Sequence, residues 1–387
     1  MGFKKRSDIP KTSRLNSIVL FLLVAIIPTL GQTAGKSETN VRVALSQPLT
    51  VRWHYDSNLT LNLTPAFDQQ RIYLPLAGGI IVSLKADNGQ LNWRSEMGGE
   101  LSASPVADDQ AVYVASETGK SEAGARRATG TLRSLSREGG VTQWMRTLAM
   151  PLRGSLTLAN GKILAGGSDG RVYAFNVGSG ELRWVFSNNA TFLCQPAVYA
   201  SRVYLGSEDG ALLVLDEGTG KLLWRYRTKG PIRGPVAMAN DAIYFGSGDG
   251  YVYALNAATG HLLWRKRTGA GVQAVARVDD ALLVASLDNF VYLFSLNGSK
   301  LWKRQLPGRI SSQPLTAADG ALFTPLSSSA AVVLGLRDGR PVNSLPTGEE
   351  ITTSASPVAI GNAVFLTTEH GLLAFAQPRE NGSAKGR

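Results

Sequence analysis

Short apolar runs separated by glycine-containing turns recur along this chain. The clearest copy has apolar runs at residues 242–247 and 251–256, an Asp-Gly pair at 249–250, and a Thr-Gly pair at 259–260 shortly before Trp264. Runs rich in Val, Ile, Tyr and Leu with such pairs between them predict short antiparallel strands joined by tight hairpins. Each copy therefore predicts a unit of four antiparallel strands.

The spacing of the tryptophans indicates that this unit repeats about every forty residues. Successive tryptophans are 40, 51, 40, 40, 40 and 38 residues apart. The positions are Trp53, Trp93, Trp144, Trp184, Trp224, Trp264 and Trp302. A period of this length is typical of repeated supersecondary units. We expect each indole to have a structural role, wedged against the turn of the neighbouring unit.

The number of units follows from the turns that precede the tryptophan strands. Seven residue pairs whose second member is glycine occupy this place, at residues 88–89, 139–140, 179–180, 219–220, 259–260, 297–298 and 338–339. An eighth unit, at 356–375, lacks its fourth strand, whereas a strand at 49–53 has no unit of its own. Pairing the two would leave no open seam. The predicted fold is therefore all-β: an eight-bladed β-propeller of four-stranded antiparallel blades, whose last blade is closed by the N-terminal strand.

Two units depart from the pattern. The second is 11 residues longer, since the tryptophan gap is 51 there against the usual 40, and the excess falls at residues 116–130. This stretch has no apolar periodicity and is predicted to be a mobile loop, either a surface insertion or a partner-binding loop. The seventh unit has Asn343 where tryptophan would fall. We expect one inter-blade stacking contact to be lost there.

The N-terminus has the pattern of an export signal. A basic stretch precedes an apolar run at residues 18–27 that is too short to span a bilayer comfortably. We predict a signal peptide at 1–31, with an uncleaved anchor as the alternative. A linker at 32–48, one propeller at 49–377 and a polar tail at 378–387 are expected to follow. No cysteine lies near the predicted cleavage site, so no direct lipid anchor is expected.

The chain is basic, with a net charge of +11. Residues 1–31 carry five basic residues and one acidic residue, which leaves +7 for the remainder. Many basic residues follow the tryptophans, and they have two interpretations: protection of the sheet edges or a rim that docks an acidic protein surface. Arg233, in a loop that leads into the next blade, is a candidate partner contact. Nucleic acid is not an expected partner.

The residues of catalytic type form no recognisable pattern. Cys194 is the only cysteine, so the chain has no internal disulfide. Several aspartates stand in predicted turns, namely Asp169, Asp209, Asp249 and Asp338, where turn formation explains them. The three histidines, His54, His261 and His370, are scattered along the sequence. We therefore predict no catalytic residue, no cofactor site and no metal site.

Residues 254–264 resemble the tryptophan-docking motif of the pyrroloquinoline-quinone (PQQ) repeat family, Ala-x-Asp-x-x-Thr-Gly-x-x-x-Trp. Asn256 departs from the motif at its acidic position, whereas Asp216 in the preceding unit keeps it. The resemblance covers residues 50–375 and implies a β-propeller. It implies less about activity, since many members of the family bind no quinone.

Within that family the chain resembles the BamB-type propellers, which assist outer-membrane protein assembly. Residues 150–155 are similar to the Leu-x-Leu-Arg-Gly loop with which those proteins grip the barrel-forming subunit BamA. The resemblance implies that Met150, Leu152 and Arg153 contact a partner, with Leu152 filling an apolar pocket and Arg153 making charge-assisted hydrogen bonds. Residues 191–196 lack the acidic residues of the family, so the electrostatic contacts made there are not expected here.

These observations predict a non-catalytic scaffold. We expect an exported, periplasmic monomer, peripheral to the outer membrane, that binds a BamA-type subunit or another envelope protein. A second binding mode is the addition of an extended segment to the outer strand of a blade. Two alternatives stay open: a PQQ-dependent dehydrogenase, which the resemblance associates with adjacent cysteines and Ca²⁺, and a propeller that senses a small ligand.

Overall fold

The computed structural model describes residues 43–118 and 128–378 of this protein, and eight antiparallel sheets contain all the strands of these residues. The predicted eight-bladed propeller is confirmed, and its last blade is closed by the N-terminal strand. In the described part of the chain, no helix has the length and apolar character needed to cross a membrane. The predicted signal peptide at 1–31 lies outside the described residues, as do 32–42, 119–127 and 379–387.

The strands are numbered along the chain, and the first, β1 (Thr50–Asp56), stands apart from the blade that follows it. Blade 1 is β2 (Ala66–Phe67), β3 (Arg71–Leu76), β4 (Ile80–Lys85) and β5 (Leu91–Glu96). Blade 2 is β6 (Glu100–Leu101), β7 (Val106–Ala107), β8 (Ala111–Glu117), β9 (Gly130–Ser136) and β10 (Thr142–Leu148). Blade 3 is β11 (Leu152–Ala159), β12 (Lys162–Gly167), β13 (Arg171–Asn176) and β14 (Leu182–Ser187). Blade 4 is β15 (Ala197–Tyr199), β16 (Arg202–Gly206), β17 (Ala211–Asp216) and β18 (Leu222–Arg227).

The second half of the ring repeats this order. Blade 5 is β19 (Ala237–Ala239), β20 (Ala242–Gly246), β21 (Tyr251–Asn256) and β22 (Leu262–Arg267). Blade 6 is β23 (Val272–Val278), β24 (Ala281–Ser286), β25 (Phe290–Ser295) and β26 (Lys300–Gln305). Blade 7 is β27 (Leu315–Ala317), β28 (Gly320–Phe323), β29 (Ala330–Leu334) and β30 (Pro341–Pro346). Blade 8 is β31 (Val358–Ile360), β32 (Ala363–Thr368) and β33 (Gly371–Ala376), completed by β1.

The hydrophobic core is divided among the interfaces between blades. At one of them, Leu212 and Val214 of blade 4 pack with Ile243 and Phe245 of blade 5, and all four are fully buried. The two middle strands of each blade are buried because neighbouring blades cover both faces of the sheet. Their near-continuous apolar sequences follow from this double burial.

Each tryptophan docks on the turn of the next blade. The indole N–H of Trp184 donates to the carbonyl oxygen of Glu217 at 2.9 Å, and Gly220 lies on the face of the ring. Five other indoles donate to the equivalent carbonyl: those of Trp53, Trp93, Trp144, Trp264 and Trp302. Trp224 is the exception. Its indole N–H has no partner among the described residues, and the carbonyl of Ala257 accepts from Arg202 instead.

A segment of the N-terminus occupies the place where blade 7 lacks its tryptophan. The side-chain amide of Asn343 donates to the carbonyl oxygens of Leu45 at 2.9 Å and Gln47 at 2.6 Å. The carboxylate of Asp319 accepts from the backbone N–H groups of Leu45 and Ser46. The side chain of Leu45 is fully buried. Residues 43–48, which fall in the predicted linker, are therefore packed onto the ring, and the missing indole is replaced by hydrogen bonds.

The long connection of blade 2 begins and ends in paired residues. The hydroxyls of Ser116 and Thr131 lie 2.7 Å apart, and those of Thr118 and Thr129 lie 2.8 Å apart. The first contact lies within the ladder of β8 and β9, and the second extends the pairing one step beyond it. The predicted mobile loop at 116–130 thus has an ordered base, and its centre, at 119–127, lies outside the described residues.

Candidate partner-binding face

The antiparallel order of the strands gathers two kinds of loop at one end of the ring. The connections from an outer strand to the next inner strand lie there, together with the turns between second and third strands. We call this end the connection face. The connections at residues 149–151, 188–196 and 228–236 belong to it, and they lead into the consecutive blades 3, 4 and 5.

Leu152 is not available as an exposed contact, which corrects the role predicted from the sequence. The residue begins β11, pairs with Gly167, and is fully buried in the core between blades 2 and 3. Its side chain packs with apolar residues of both blades, among them Tyr113 and Ile163. Leu152 therefore supports the fold here rather than filling a pocket on a partner, while Met150 just before it is half-buried.

Arg153 is half-buried and is held in place by an acidic neighbour. Its Nη2 atom lies 2.6 Å from Oε2 of Glu117, which ends β8 in the adjacent blade. The next residue, Gly154, has a φ of +72°, and a Cβ atom there would lie 2.3 Å from the carbonyl oxygen of Leu193. A side chain larger than hydrogen would push the two loops apart. Gly154 thus brings the Arg153 strand against the connection into blade 4.

Arg233 is exposed and forms a bidentate pair. Its Nε and Nη2 atoms donate to the two carboxylate oxygens of Glu208 at 2.9 and 2.7 Å. The hydrogen bonds to Glu208 raise the pKa of Arg233 above its ordinary value. Planar fork geometry of this kind fixes the direction of the guanidinium group. The sequence pointed to Arg233 as a basic residue, but the acidic partner in a turn 25 residues earlier was not predicted.

Leu193 is the apolar side chain that the connection face exposes beside these arginines. It stands between Phe192 and Cys194, which are both buried, and its own side chain is 39% exposed. Burial raises the pKa of the Cys194 thiol to about 12, although a hydrogen bond from the backbone of Gly206 opposes the shift. Leu193 was not among the contacts predicted from the sequence. Its alternation with two core residues was the available signal.

A cavity of about 430 Å³ lies where the inner strands meet. Arg233 and Leu193 line it, whereas Met150, Leu152 and Arg153 do not. Its hydroxyl groups join the blades: Ser104 accepts from the backbone N–H of Thr64, and Thr64 accepts from that of Ser356. Polar groups around the cavity are therefore already used in holding the ring together.

The aspartates of the turns accept hydrogen bonds from their own turns. Asp169 accepts from the hydroxyl of Tyr173 at 2.6 Å, and Asp249 accepts from that of Tyr253 at 2.7 Å. Asp209 accepts from the hydroxyl of Ser207 and the N–H of Ala211. Asp338 accepts from the N–H of Arg340. These contacts account for the aspartates as turn residues.

One group of titratable side chains was missed by sequence reasoning. His54 in β1 lies with its Nδ1 atom 3.1 Å from Asp56 and its Nε2 atom 2.9 Å from Glu350. The second carboxylate oxygen of Glu350 accepts from the hydroxyl of Thr368. One ligand atom from each of the three side chains lies within 4.8 Å of the other two, a spacing that could hold a metal ion. The arrangement joins the closing strand to the connection between blades 7 and 8.

The sequence profile of the family described as outer membrane protein assembly factor BamB matches residues 37–127, 128–234 and 214–385. Outer membrane protein assembly factor BamB of Yersinia pestis is 28% identical over 118 residues. That alignment covers 29% of this chain and 27% of the relative, so less than a third of the relative is spanned.

Two solved structures share the fold. BamB from Moraxella catarrhalis superposes with a TM-score of 0.70 at 19% identity, covering 86% of this chain and 99% of that protein. Quinohemoprotein alcohol dehydrogenase from Comamonas testosteroni gives a TM-score of 0.71 at 12% identity, covering 89% of this chain and 80% of that enzyme. At these identities the similarity concerns the fold alone.

Proposed function

This chain belongs to the family of outer membrane protein assembly factor BamB, and we propose that it is a non-catalytic scaffold of the periplasm that assists the assembly of outer-membrane β-barrel proteins. The scaffold binds a BamA-type subunit through the connection face. One observation carries this proposal: Arg153 at the start of β11 and Arg233 in the connection into blade 5, each held by a glutamate, lie on either side of the connection that exposes Leu193.

In this proposal Leu193 supplies the apolar anchor of the interface. Interfaces derive much of their affinity from a few side chains that enter pockets and exclude water. Leu193 is exposed between two buried neighbours, so its backbone position is fixed by the core. Leu152 contributes indirectly, because its burial fixes the position of the strand that contains Arg153.

The two arginines supply the polar contacts. Glu208 occupies Nε and Nη2 of Arg233 and leaves Nη1 for a partner, and Glu117 occupies only Nη2 of Arg153. A carboxylate or carbonyl oxygen of the partner accepts from the remaining N–H groups. Because the glutamates already hold the side chains, less conformational entropy is lost on binding.

Capture by immobilised periplasmic domains of a BamA-type subunit tests the proposal. Arg153→Ala, Arg233→Ala and Leu193→Ser should each weaken capture by roughly tenfold or more. Matched controls on the outer strand of blade 1, Leu91→Ser and Arg94→Ala, should leave capture unchanged, since both side chains are exposed away from the connection face. Leu152→Ala is unsuitable as a contact variant because it would create a core cavity. Undiminished capture by the three connection-face variants together would refute the proposal.

The shared fold with a quinohemoprotein dehydrogenase supplies the competing hypothesis. The quinone enzymes that the chain resembles have adjacent cysteines, whereas this chain has Cys194 alone, and Cys194 is buried in the core. Dye reduction with alcohols or sugars, after addition of PQQ and Ca²⁺, distinguishes the two functions. Turnover in that assay would contradict a non-catalytic scaffold.

A further inference from the structure

The outer strands of three consecutive blades have an unusual composition. β18, β22 and β26 read Leu-Leu-Trp-Arg-Tyr-Arg, Leu-Leu-Trp-Arg-Lys-Arg and Lys-Leu-Trp-Lys-Arg-Gln. They contain eight lysines and arginines and no aspartate or glutamate. The other five outer strands together contain four arginines and two acidic residues. Positive charge is therefore concentrated on the rim of blades 4, 5 and 6.

Large apolar side chains are exposed on the same three strands. Their exposed fractions are 41% for Leu222, 47% for Leu223, 45% for Leu262, 54% for Leu263 and 56% for Leu301. Leu223 and Leu263 stand at irregularities in the pairing of the outer strand, where the register shifts by one residue. The extra residue turns a second leucine outward beside the first. An apolar belt thus runs beside the cationic one.

Few of these cations are neutralised. Among the described residues, Arg227 alone of the eight has a carboxylate partner, Asp209 at 3.0 Å. Arg265 lies over the ring of Tyr251 at 4.9 Å, and Lys303 lies over Phe290 at 3.6 Å. In both contacts the charged group itself lies over the aromatic ring, which holds it beside the strand without neutralising it. We call this combination of leucines and cations the leucine–cation rim (outer strands of blades 4–6).

We propose that the leucine–cation rim docks on a lipid bilayer that carries anionic headgroups. Leucine side chains enter the interfacial region of the bilayer, while arginine and lysine side chains reach the phosphate oxygens of the headgroups. Membrane-binding surfaces of proteins commonly combine these two contacts. The repetition on three blades favours this partner, because one extended peptide added to an edge strand would use a single blade. This inference is independent of the proposed partner site, which lies at one end of the ring and stays free.

The experiment uses an environment-sensitive fluorophore on a single introduced thiol. Cys194 is buried and its thiol pKa is raised, so it does not compete for labelling. Leu263→Cys places the probe on the rim, and Leu91→Cys places it on the outer strand of blade 1, where Leu91 is exposed to a similar extent. Both are made in the full chain, so any membrane contact of the N-terminus is common to both.

Vesicles of phosphatidylethanolamine and phosphatidylglycerol should shift the emission of the probe at 263 to the blue and leave the probe at 91 unchanged. Vesicles of phosphatidylcholine alone should give little shift at either site, and high salt should weaken the response. Combining the probe at 263 with Arg265→Gln and Lys266→Gln should weaken vesicle binding severalfold, whereas Arg94→Gln, with the same probe, should not.

Two results would overturn the proposal. Equal shifts at positions 263 and 91 would mean that the membrane contact is not made by the rim. Silence of both probes with the anionic vesicles would mean that the rim does not bind a bilayer. Because these readouts do not involve the connection face, failure here leaves the BamA-type scaffold unaffected.

Discussion

The side chain of Asn343 hydrogen-bonds to the backbone of Leu45, a residue 298 positions earlier in the chain. In the other blades, the equivalent place is filled by an indole that packs on a Thr-Gly or related turn. Blade 8 has no such turn, because its third and fourth strands come from opposite ends of the chain. Residues 44–47 form a substitute turn, and Asn343 is suited to hold it.

Replacing Asn343 by alanine should release this segment. Two hydrogen bonds to backbone carbonyls are lost, so we expect a loss of about 1–3 kcal/mol in the free energy of unfolding. Hydrogen exchange at residues 43–49 should accelerate. Asn362→Ala, at an exposed turn of blade 8, serves as the control and should change neither quantity. Unchanged exchange in the Asn343 variant would mean that Asp319 holds the segment by itself.

A comparison of two glycines should separate backbone strain from packing. Gly220 and Gly161 have nearly equal φ angles, +70° and +71°. A Cβ atom at Gly220 would lie 2.5 Å from the ring of Trp184, whereas one at Gly161 would meet nothing within 4 Å. We therefore expect Gly220→Ala to destabilise the protein by about 1–3 kcal/mol more than Gly161→Ala. Urea unfolding measures the difference, and equal losses would contradict the indole–turn contact.

The indole hydrogen bond should be detectable by substitution with phenylalanine. Trp184→Phe removes a buried bond to Glu217, whereas Trp224→Phe removes an N–H that has no acceptor in the described structure. The excess loss in the Trp184 variant should be about 1–3 kcal/mol, the usual cost of a lost hydrogen bond plus an unsatisfied carbonyl. Thermal unfolding of both variants tests this, and identical shifts would show that the bond contributes nothing.

Asp68 should make the junction of blades 1 and 2 sensitive to acid. Burial alone would raise its pKa, but hydrogen bonds from Tyr73 and the backbone, with the charge of Arg137, lower the pKa below its ordinary value. A lowered pKa stabilises the folded state above about pH 4, and this contribution is lost as the pH falls through the folded-state pKa. The difference in stability between wild type and Asp68→Asn should therefore shrink from about pH 5 to pH 3. Parallel stability curves over this range would argue against the role of Asp68.

The repeat could be read from the sequence because its signals are local. Thr219-Gly220 and Trp184 each mark a fixed place in a blade, and such marks recur often enough to count the blades. Closure by β1 followed from a simple mismatch, an extra strand at one end and a missing strand at the other. These inferences need no knowledge of distant contacts.

The details of the connection face required the three-dimensional structure. Leu152 could not be assigned to a loop or to the core, since an apolar residue at a strand end fits both. Arg233 gave no sign of its pairing with Glu208, because the two lie on different loops that meet only in the folded ring. The environment of Asn343 depends on a segment from the other end of the chain. Sequence patterns within one unit contain no information on such contacts.

The pairing of β1 with β33 has a consequence for the order of folding. Thr50 and Ala376, which face each other in that ladder, are 326 residues apart. Such a distant pairing requires closure of a very long loop and is slow to form. During synthesis β1 stays unpaired until β33 has been made. A circular permutant in which β1 directly followed β33 would turn this step into an ordinary hairpin and should refold faster.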